Sequence, residues 1–234
     1  KIAWGGDFSL SPKPLPFIEV SRTDVVNADY DITEPQLEAI KNLLRDNKPN
    51  LLVLMSNDDI LLTCASVDKI KSKLENFTGI RTEFLEVSPL SARNQWIGYD
   101  KALGLLYQPF LKEKLEKKDG INLVGWKWPS RERKHDIGAC LNLLNQVNVQ
   151  VNHVIPGGSN LDDIRDSLSS LANLLWCPSY IGETLEMLES EMNLPIAGFT
   201  PPYGISGTSI WLEELAAVLD DRDDILENTK KLKE

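Results

Sequence analysis

From residue 121 onward, short apolar runs alternate with segments of helical period. The runs at residues 121–126, 149–155, 173–177 and 196–200 have strand length, with no room for an amphipathic stripe. Between them lie helix-length stretches at about 132–147, 161–171 and 182–192, and another follows at 209–219. Strands of this kind, uniformly apolar and joined by helices, need cover on both faces. The pattern therefore predicts βαβ units and a parallel sheet between two helical layers.

The same rhythm runs less regularly through the earlier part. Thr33-Glu34-Pro35-Gln36 reads as a capping box opening a helix with the stripe Leu37, Ile40, Leu43 and Leu44. Residues 51–55 and 82–87 read as strands, with a helix near 66–77 between them and a longer helical stretch at 97–118. The charged run Lys112-Glu113-Lys114 to Lys118, followed by Asp119-Gly120, marks a domain boundary. The expected organisation is thus a first α/β domain at 1–118, a second at 119–219, and a polar helix or linker at 220–234 with little to bury.

Composition narrows the function classes. The chain has 234 residues, 42% of them hydrophobic, and a formal charge of −10. That balance argues against a nucleic-acid-binding surface. No run of ~18 apolar residues is present to span a membrane. Three cysteines, Cys64, Cys140 and Cys177, are too few and too scattered for a disulfide framework, so a reducing, cytoplasmic setting is expected.

In open parallel sheets, ligands bind beyond the carboxyl ends of the strands. That rule singles out Trp126-Lys127-Trp128, Pro156-Gly157-Gly158-Ser159, Cys177-Pro178-Ser179-Tyr180 and the loop from Thr200 to Thr208 in the second domain. In the first it picks Ser56-Asn57-Asp58-Asp59 and residues 88–95. Ser159 with Asp162 reads as a capping box after Gly157-Gly158, either a tight turn or an anion cradle at a helix start. No Gly-x-Gly-x-x-Gly or Gly-Lys-Ser/Thr motif supports a dinucleotide or P-loop ligand. Cys177 ends a buried run just before Pro178, where a thiolate could bind a soft metal or attack an electrophile; a buried structural thiol is the alternative. Cys140 lies on an apolar helix face and belongs to the core. His135 sits in a charged helix start and His153 in a strand, and neither suggests a triad.

In order along the chain, Ile121-Asn122-Leu123-Val124-Gly125, Gly158-Ser159-Asn160-Leu161-Asp162-Asp163-Ile164, Ala172-Asn173-Leu174-Leu175-Trp176-Cys177, Leu194-Pro195-Ile196 and Pro202-Tyr203-Gly204-Ile205-Ser206-Gly207-Thr208 form a string of features. Together with Lys48-Pro49-Asn50-Leu51-Leu52-Val53 and Gly98-Tyr99-Asp100-Lys101-Ala102, they resemble the nitrogenase component 1 family. That family takes in nitrogenase catalytic subunits, cofactor-assembly scaffolds and dark-operative protochlorophyllide reductases.

The resemblance implies a fold of three Rossmann-like domains, of which this chain would be a fragment holding part of the first and all of the second. It places Cys177, eighteen residues before Pro195, where nitrogenase has a cofactor-binding cysteine, and makes it the implied metal ligand. Gln95 resembles a glutamine lining the same pocket, and Tyr99 replaces a pocket histidine, which puts dinitrogen reduction in doubt. Gly157, Gly158, Tyr203 and Gly204 would line the crevice with their backbones. Asn57 stands where a cluster cysteine is common, and an amide is not an ordinary iron–sulfur ligand. Cys64 is about a turn away from that position.

The implied function is that of a nitrogenase-like oxidoreductase subunit. Its cofactor would be an iron–sulfur cluster, a metal–sulfur cofactor or a tetrapyrrole. Its partners would be a homologous second subunit and an ATP-dependent iron–sulfur reductase. A cofactor-assembly scaffold, or a non-enzymatic binding module of the same fold, is the alternative, and a sugar-nucleotide or periplasmic-type binder is a third.

Overall fold

The computed structural model describes residues 32–46, 49–56, 67–86, 96–125, 131–157, 159–177, 182–220 and 222–233. They fall into two compact units that divide between Gly98 and Tyr99.

In the smaller unit, helix α1 (Glu34–Asp46) begins where the sequence predicts, and the Gln36 side chain accepts the Thr33 N–H at 2.8 Å. Strands β1 (Leu52–Ser56) and β2 (Thr82–Glu86) pair in parallel, joined through helix α2 (Val67–Thr78). Leu37 of α1 and Ile70 and Leu74 of α2 form the buried seam with Ile32. On the strand surface Glu83 accepts from Lys71 Nζ at 2.9 Å and from Arg81 Nη2 at 2.6 Å. Partial burial pushes the Glu83 carboxyl up, but the two cations and their hydrogen bonds outweigh it and hold it below the ordinary value of 4.5.

Helix α3 (Trp96–Tyr107), which belongs to the larger unit from Tyr99 onward, is converted by Pro109 into a 3₁₀ turn (Gln108–Phe110), well short of the helix expected to reach residue 118. Strands β3 (Ile121–Val124), β4 (Val151–Ile155), β5 (Asn173–Leu175) and β6 (Ile196–Ala197) form one parallel sheet in the order β4-β3-β5-β6. Helices α4 (Arg131–Gln146), α5 (Leu161–Ser167), α6 (Glu183–Met192), α7 (Gly204–Val218) and α8 (Asp223–Lys231) complete it.

Alternation along the strands builds two cores. Ile121, Leu123, Leu174 and Ala197 face Cys140 and Leu144 of α4 and Trp211, Leu212 and Leu215 of α7. Val124, Leu175 and Ile196 face Leu103 and Tyr107 of α3, Ile164 of α5 and Leu185 and Leu188 of α6. The burial of Leu103 and Tyr107 in that second core explains why the compact unit starts at Tyr99 and takes in the helix before the charged run, ahead of the boundary read from the sequence after Lys118. The tail expected to bury little contributes Ile225, fully buried in the first core.

Most polar groups inside this unit are bonded to one another, the buried Asn173 Nδ2 being without a partner among the described residues. Asn122, opposite Asn173, donates to Asn173 Oδ1 at 2.9 Å and to the Ser167 carbonyl at 2.8 Å. Ser170 donates to Asn122 Oδ1 at 2.8 Å, and the Tyr107 hydroxyl lies 2.9 Å from Ser167 Oγ. Burial pushes the Tyr107 phenol up to about 12, against a smaller lowering by Ser167. Helix α6 is capped by a residue of another helix. The Asp100 carboxylate accepts the Glu183 N–H at 2.9 Å and the Thr184 N–H at 3.2 Å, and Thr184 Oγ1 donates back to the Asp100 carbonyl at 2.7 Å.

Two outcomes follow. Asp100→Ala should destabilise the protein by about 1–2 kcal/mol, read from urea unfolding, because it leaves the first amides of α6 without their acceptor. Asp100→Asn should lose much less. For Glu83, the depressed folded value means that its contribution is complete above pH ~4.5, the unfolded value, and disappears as the pH falls through the lower folded value. Glu83→Gln should therefore flatten the loss of stability in that acid window and leave its neighbours near pH 7 packed as before. Unfolding midpoints measured across that window check it.

Candidate functional site

The strand order sets the location. The chain runs from β3 to β4 on one side, then returns to β5 on the other, so the order reverses between β3 and β5. Beyond β3 the chain goes to α4 on one face, and beyond β5 it goes to α6 on the opposite face. The connections part there, which is where doubly wound sheets hold ligands. Gly125 and Trp176-Cys177 are the residues at that point. Gly125 donates its N–H to the Ile155 carbonyl at 3.0 Å, and Trp176 to the Val124 carbonyl at 2.9 Å. Gly125 has φ +94°, and a Cβ on it would lie 3.3 Å from the Cys177 carbonyl oxygen. A side chain here would thus push into the Cys177 backbone from a conformation that L-residues rarely adopt.

Cys177 is half-buried and lies two residues beyond the end of β5. Its neighbour Trp176 meets Trp211 edge-on, with ring centroids 6.4 Å apart. Trp211 is fully buried and donates Nε1–H to the Leu175 carbonyl at 2.6 Å. The turn after β6 is held by the same helix. Glu214 Oε2 accepts the N–H groups of Gly198 at 2.9 Å, Phe199 at 2.6 Å and Thr200 at 3.4 Å, and Oε1 accepts from Thr200 Oγ1 at 2.7 Å. Sequence reasoning missed Glu214. Its only signal is that, three residues after Trp211, it stands among Leu212, Leu215 and Ala216 on the buried side of α7. Asp100 was missed as well, since a cap supplied from another helix leaves no local pattern.

Parallel strands bring Gly157, Cys177, Tyr203 and Gly204 to one edge of the sheet, after β4, β5 and β6 respectively. Gly157 is half-buried, while Tyr203 is 69% exposed and Gly204 opens α7. Tyr99 is exposed on α3, beside the Asp100 that holds α6. Gln95 and Gly158 lie outside the described residues, as do Asn57, Asp58, Asp59, Cys64, Trp126 and Trp128.

The capping box of α5 is one residue later than expected. Asn160 Oδ1 accepts the N–H groups of Asp162 and Asp163, and Asp163 Oδ2 accepts that of Asn160. Ser159 instead donates to the Val154 carbonyl at 2.9 Å. The Asp162 and Asp163 amides at the start of α5 are therefore taken by the cap and are not free to hold an anion.

Among the described residues, no group of three or more His, Cys, Asp and Glu side chains is placed to hold a metal ion. His135 is exposed and His153 half-buried. Cys140 is buried on α4, and desolvation pushes its thiol up to about 12. The described donor set thus supplies one accessible thiol, Cys177. No helix among these residues is long and apolar enough to cross a membrane.

A family model described as nitrogenase component 1 type oxidoreductase matches residues 33–234. One of the subunits of the light-independent protochlorophyllide reductase of Stigeoclonium helveticum is 25% identical over 218 residues, 86% of this chain and 41% of that protein. Its counterpart from Chaetosphaeridium globosum is 23% identical over 198 residues, 77% of this chain and 37% of that protein. The chain therefore spans about two fifths of the length of these curated relatives. A solved structure titled "Nitrogenase Cp1 at pH 5" superposes with a TM-score of 0.68 at 17% identity, covering 91% of this chain and 42% of that one. That likeness shows the same fold.

The two thiols should separate cleanly by reactivity. Iodoacetamide at about pH 8 should modify Cys177 in the native protein and leave Cys140 untouched until denaturant is added, because only the thiolate attacks. Mass spectrometry of the two peptides measures this, and native labelling of Cys140 would contradict its burial.

Proposed function

Because the chain belongs to the nitrogenase component 1 type oxidoreductase family, we propose that it is part of a nitrogenase-like reductase subunit whose ligand crevice opens between β3 and β5. Cys177 contributes a thiolate to an iron–sulfur or other metal–sulfur cofactor, or lines the pocket of a tetrapyrrole. The observation that carries this reading is the position of an accessible thiol at the reversal of strand order. When bound, such a cofactor supplies the redox chemistry, and the protein binds and orients it. Soft thiolate suits iron–sulfur centres, so the donor fits. One thiol does not make a cluster site, and the remaining ligands come from elsewhere in the assembled protein.

In this reading residues 119–219 are a second Rossmann-like domain and Gln95, Tyr99, Gly157, Gly158, Tyr203 and Gly204 border the cofactor. Electrons arrive from an ATP-dependent iron–sulfur reductase, a homologous subunit completes the complex, and the protein works in the cytoplasm. Tyr99 and Asn57 favour a second reading, a cofactor-assembly scaffold or a binding module without turnover, because both replace groups expected of an active member.

Anaerobic purification of the full chain, with iron and acid-labile sulfide measured before and after cluster reconstitution, tests the proposal. Colour and iron should copurify with the protein, and Cys177→Ala should lower the iron content without changing the far-UV circular dichroism. A protein that stays colourless and iron-free after reconstitution sinks it.

A further inference from the structure

The ladder between β5 and β6 stops abruptly. Asn173 lies opposite Ile196 and Leu174 opposite Ala197, and Asn173 donates its N–H to the Pro195 carbonyl at 2.8 Å. In a parallel pair the bonded residue on one strand serves both neighbours of its opposite number. Continuing that register, the next rung would run from the Phe199 N–H to the Leu175 carbonyl. Both groups are instead taken by side chains of α7. Trp211 Nε1–H occupies the Leu175 carbonyl at 2.6 Å, and Glu214 Oε2 occupies the Phe199 N–H at 2.6 Å.

We propose that Trp211 and Glu214 act together as a wedge that replaces this rung, ends the β5–β6 ladder early and keeps β6 clear of the chain at Cys177.

Three features argue for a matched device over coincidental packing. The two residues are three apart on one helix, so they share a face. Their chemistry is complementary to what they separate, since indole can only donate and carboxylate can only accept. The backbone between them also fits the wedge. Gly198 has φ +87°, and a Cβ there would stand 2.6 Å from both the Leu175 oxygen and Trp211 Nε1. Glu214 further gathers the N–H groups of Gly198 and Thr200 and the Thr200 hydroxyl, so the turn after β6 is fixed from several directions. Strand β5 ends at Leu175, two residues before Cys177, and the strands are free to diverge from there.

Trp211 and Glu214 are positioning residues in this scheme; neither is assigned contact with a ligand. The inference concerns the same Cys177 on which the cofactor reading rests, from its β6 side, but its test needs no cofactor, so one can fail without the other. In the full chain, Trp211→Phe orphans the Leu175 carbonyl, and Glu214→Ala orphans the Phe199 N–H together with those of Gly198 and Thr200. Combined, they free a donor and an acceptor that can bond to each other. The double variant should therefore lose less stability, by unfolding midpoint, than the sum of the two single losses. Iodoacetamide labelling of Cys177 should slow several-fold in the double variant as the β5–β6 pairing extends toward it. Glu214→Gln should behave as the wild type, because its Oε1 can accept the same amides while its amide donates to Thr200 Oγ1.

If Trp211→Phe does not fold, Glu214→Ala alone decides the matter. Exchange of the Phe199 amide should then rise roughly tenfold or more while the amides of β3 stay protected. Additive single losses with unchanged Cys177 labelling, or an unchanged Phe199 exchange rate in Glu214→Ala, would overturn the wedge.

Discussion

Residues Ile121–Val124 are buried throughout, and the larger unit is arranged around that fact. A strand removed from water on both faces must also find hydrogen bonds on both edges, because an unpaired buried amide or carbonyl costs about 1–3 kcal/mol. Strand β4 satisfies one edge and β5 the other. Once the central strand is flanked in this way, the chain must cross from one side to the other, and the reversal of strand order is unavoidable. The crevice at Gly125 and Cys177 is thus a by-product of satisfying β3. The buried Asn122 adds selectivity of register. It is bonded to Asn173, Ser167 and Ser170, and a shift of β5 by one residue would set Leu174 or Ala172 against its amide.

For β3, β5 and β6 the beginnings were legible in the sequence and the ends were not, whereas β4, expected at 149–155, starts at Val151 and ends at Ile155 as expected. Apolar runs at residues 121 and 173 announce β3 and β5 because burial selects residue type. The expected run at 173–177 ends in the structure at Leu175, and that at 196–200 ends at Ala197. Both are cut short by side chains of α7, too distant in sequence for local pattern to register. The same limit explains Asp100, which caps a helix more than eighty residues away. Ile225 was passed over because one apolar residue in a charged stretch looks solvated until a core is found beneath it. The capping box of α5 slipped by one residue because Ser159 and Asn160 are both good caps, and only the backbone distinguishes them.

Family membership was legible for a different reason. A string of short features, each weak alone, survives in order along the chain, and the fold survives with it at 17% identity to a solved nitrogenase protein. What such features preserve is geometry. Gly125 and Gly198 allow backbones to approach closely, and Asn122 and Asn173 lock a register. A scaffold so constrained can keep its crevice while the contents of the crevice change.

The caps of α5 and α6 have an electrostatic consequence. In many sheets of this topology the positive amino end of a helix at the rim attracts a phosphate. Here Asp163 sits in the first turn of α5, bonded back to Asn160, and Asp100 occupies the amino end of α6. Each partial positive charge is already met by a carboxylate from the chain itself. Those two ends therefore present no attraction to an incoming anion, and a negatively charged ligand would find its countercharge elsewhere. The fold has kept the dinucleotide-type architecture while cancelling, at two of its helices, the field by which that architecture ordinarily holds phosphate.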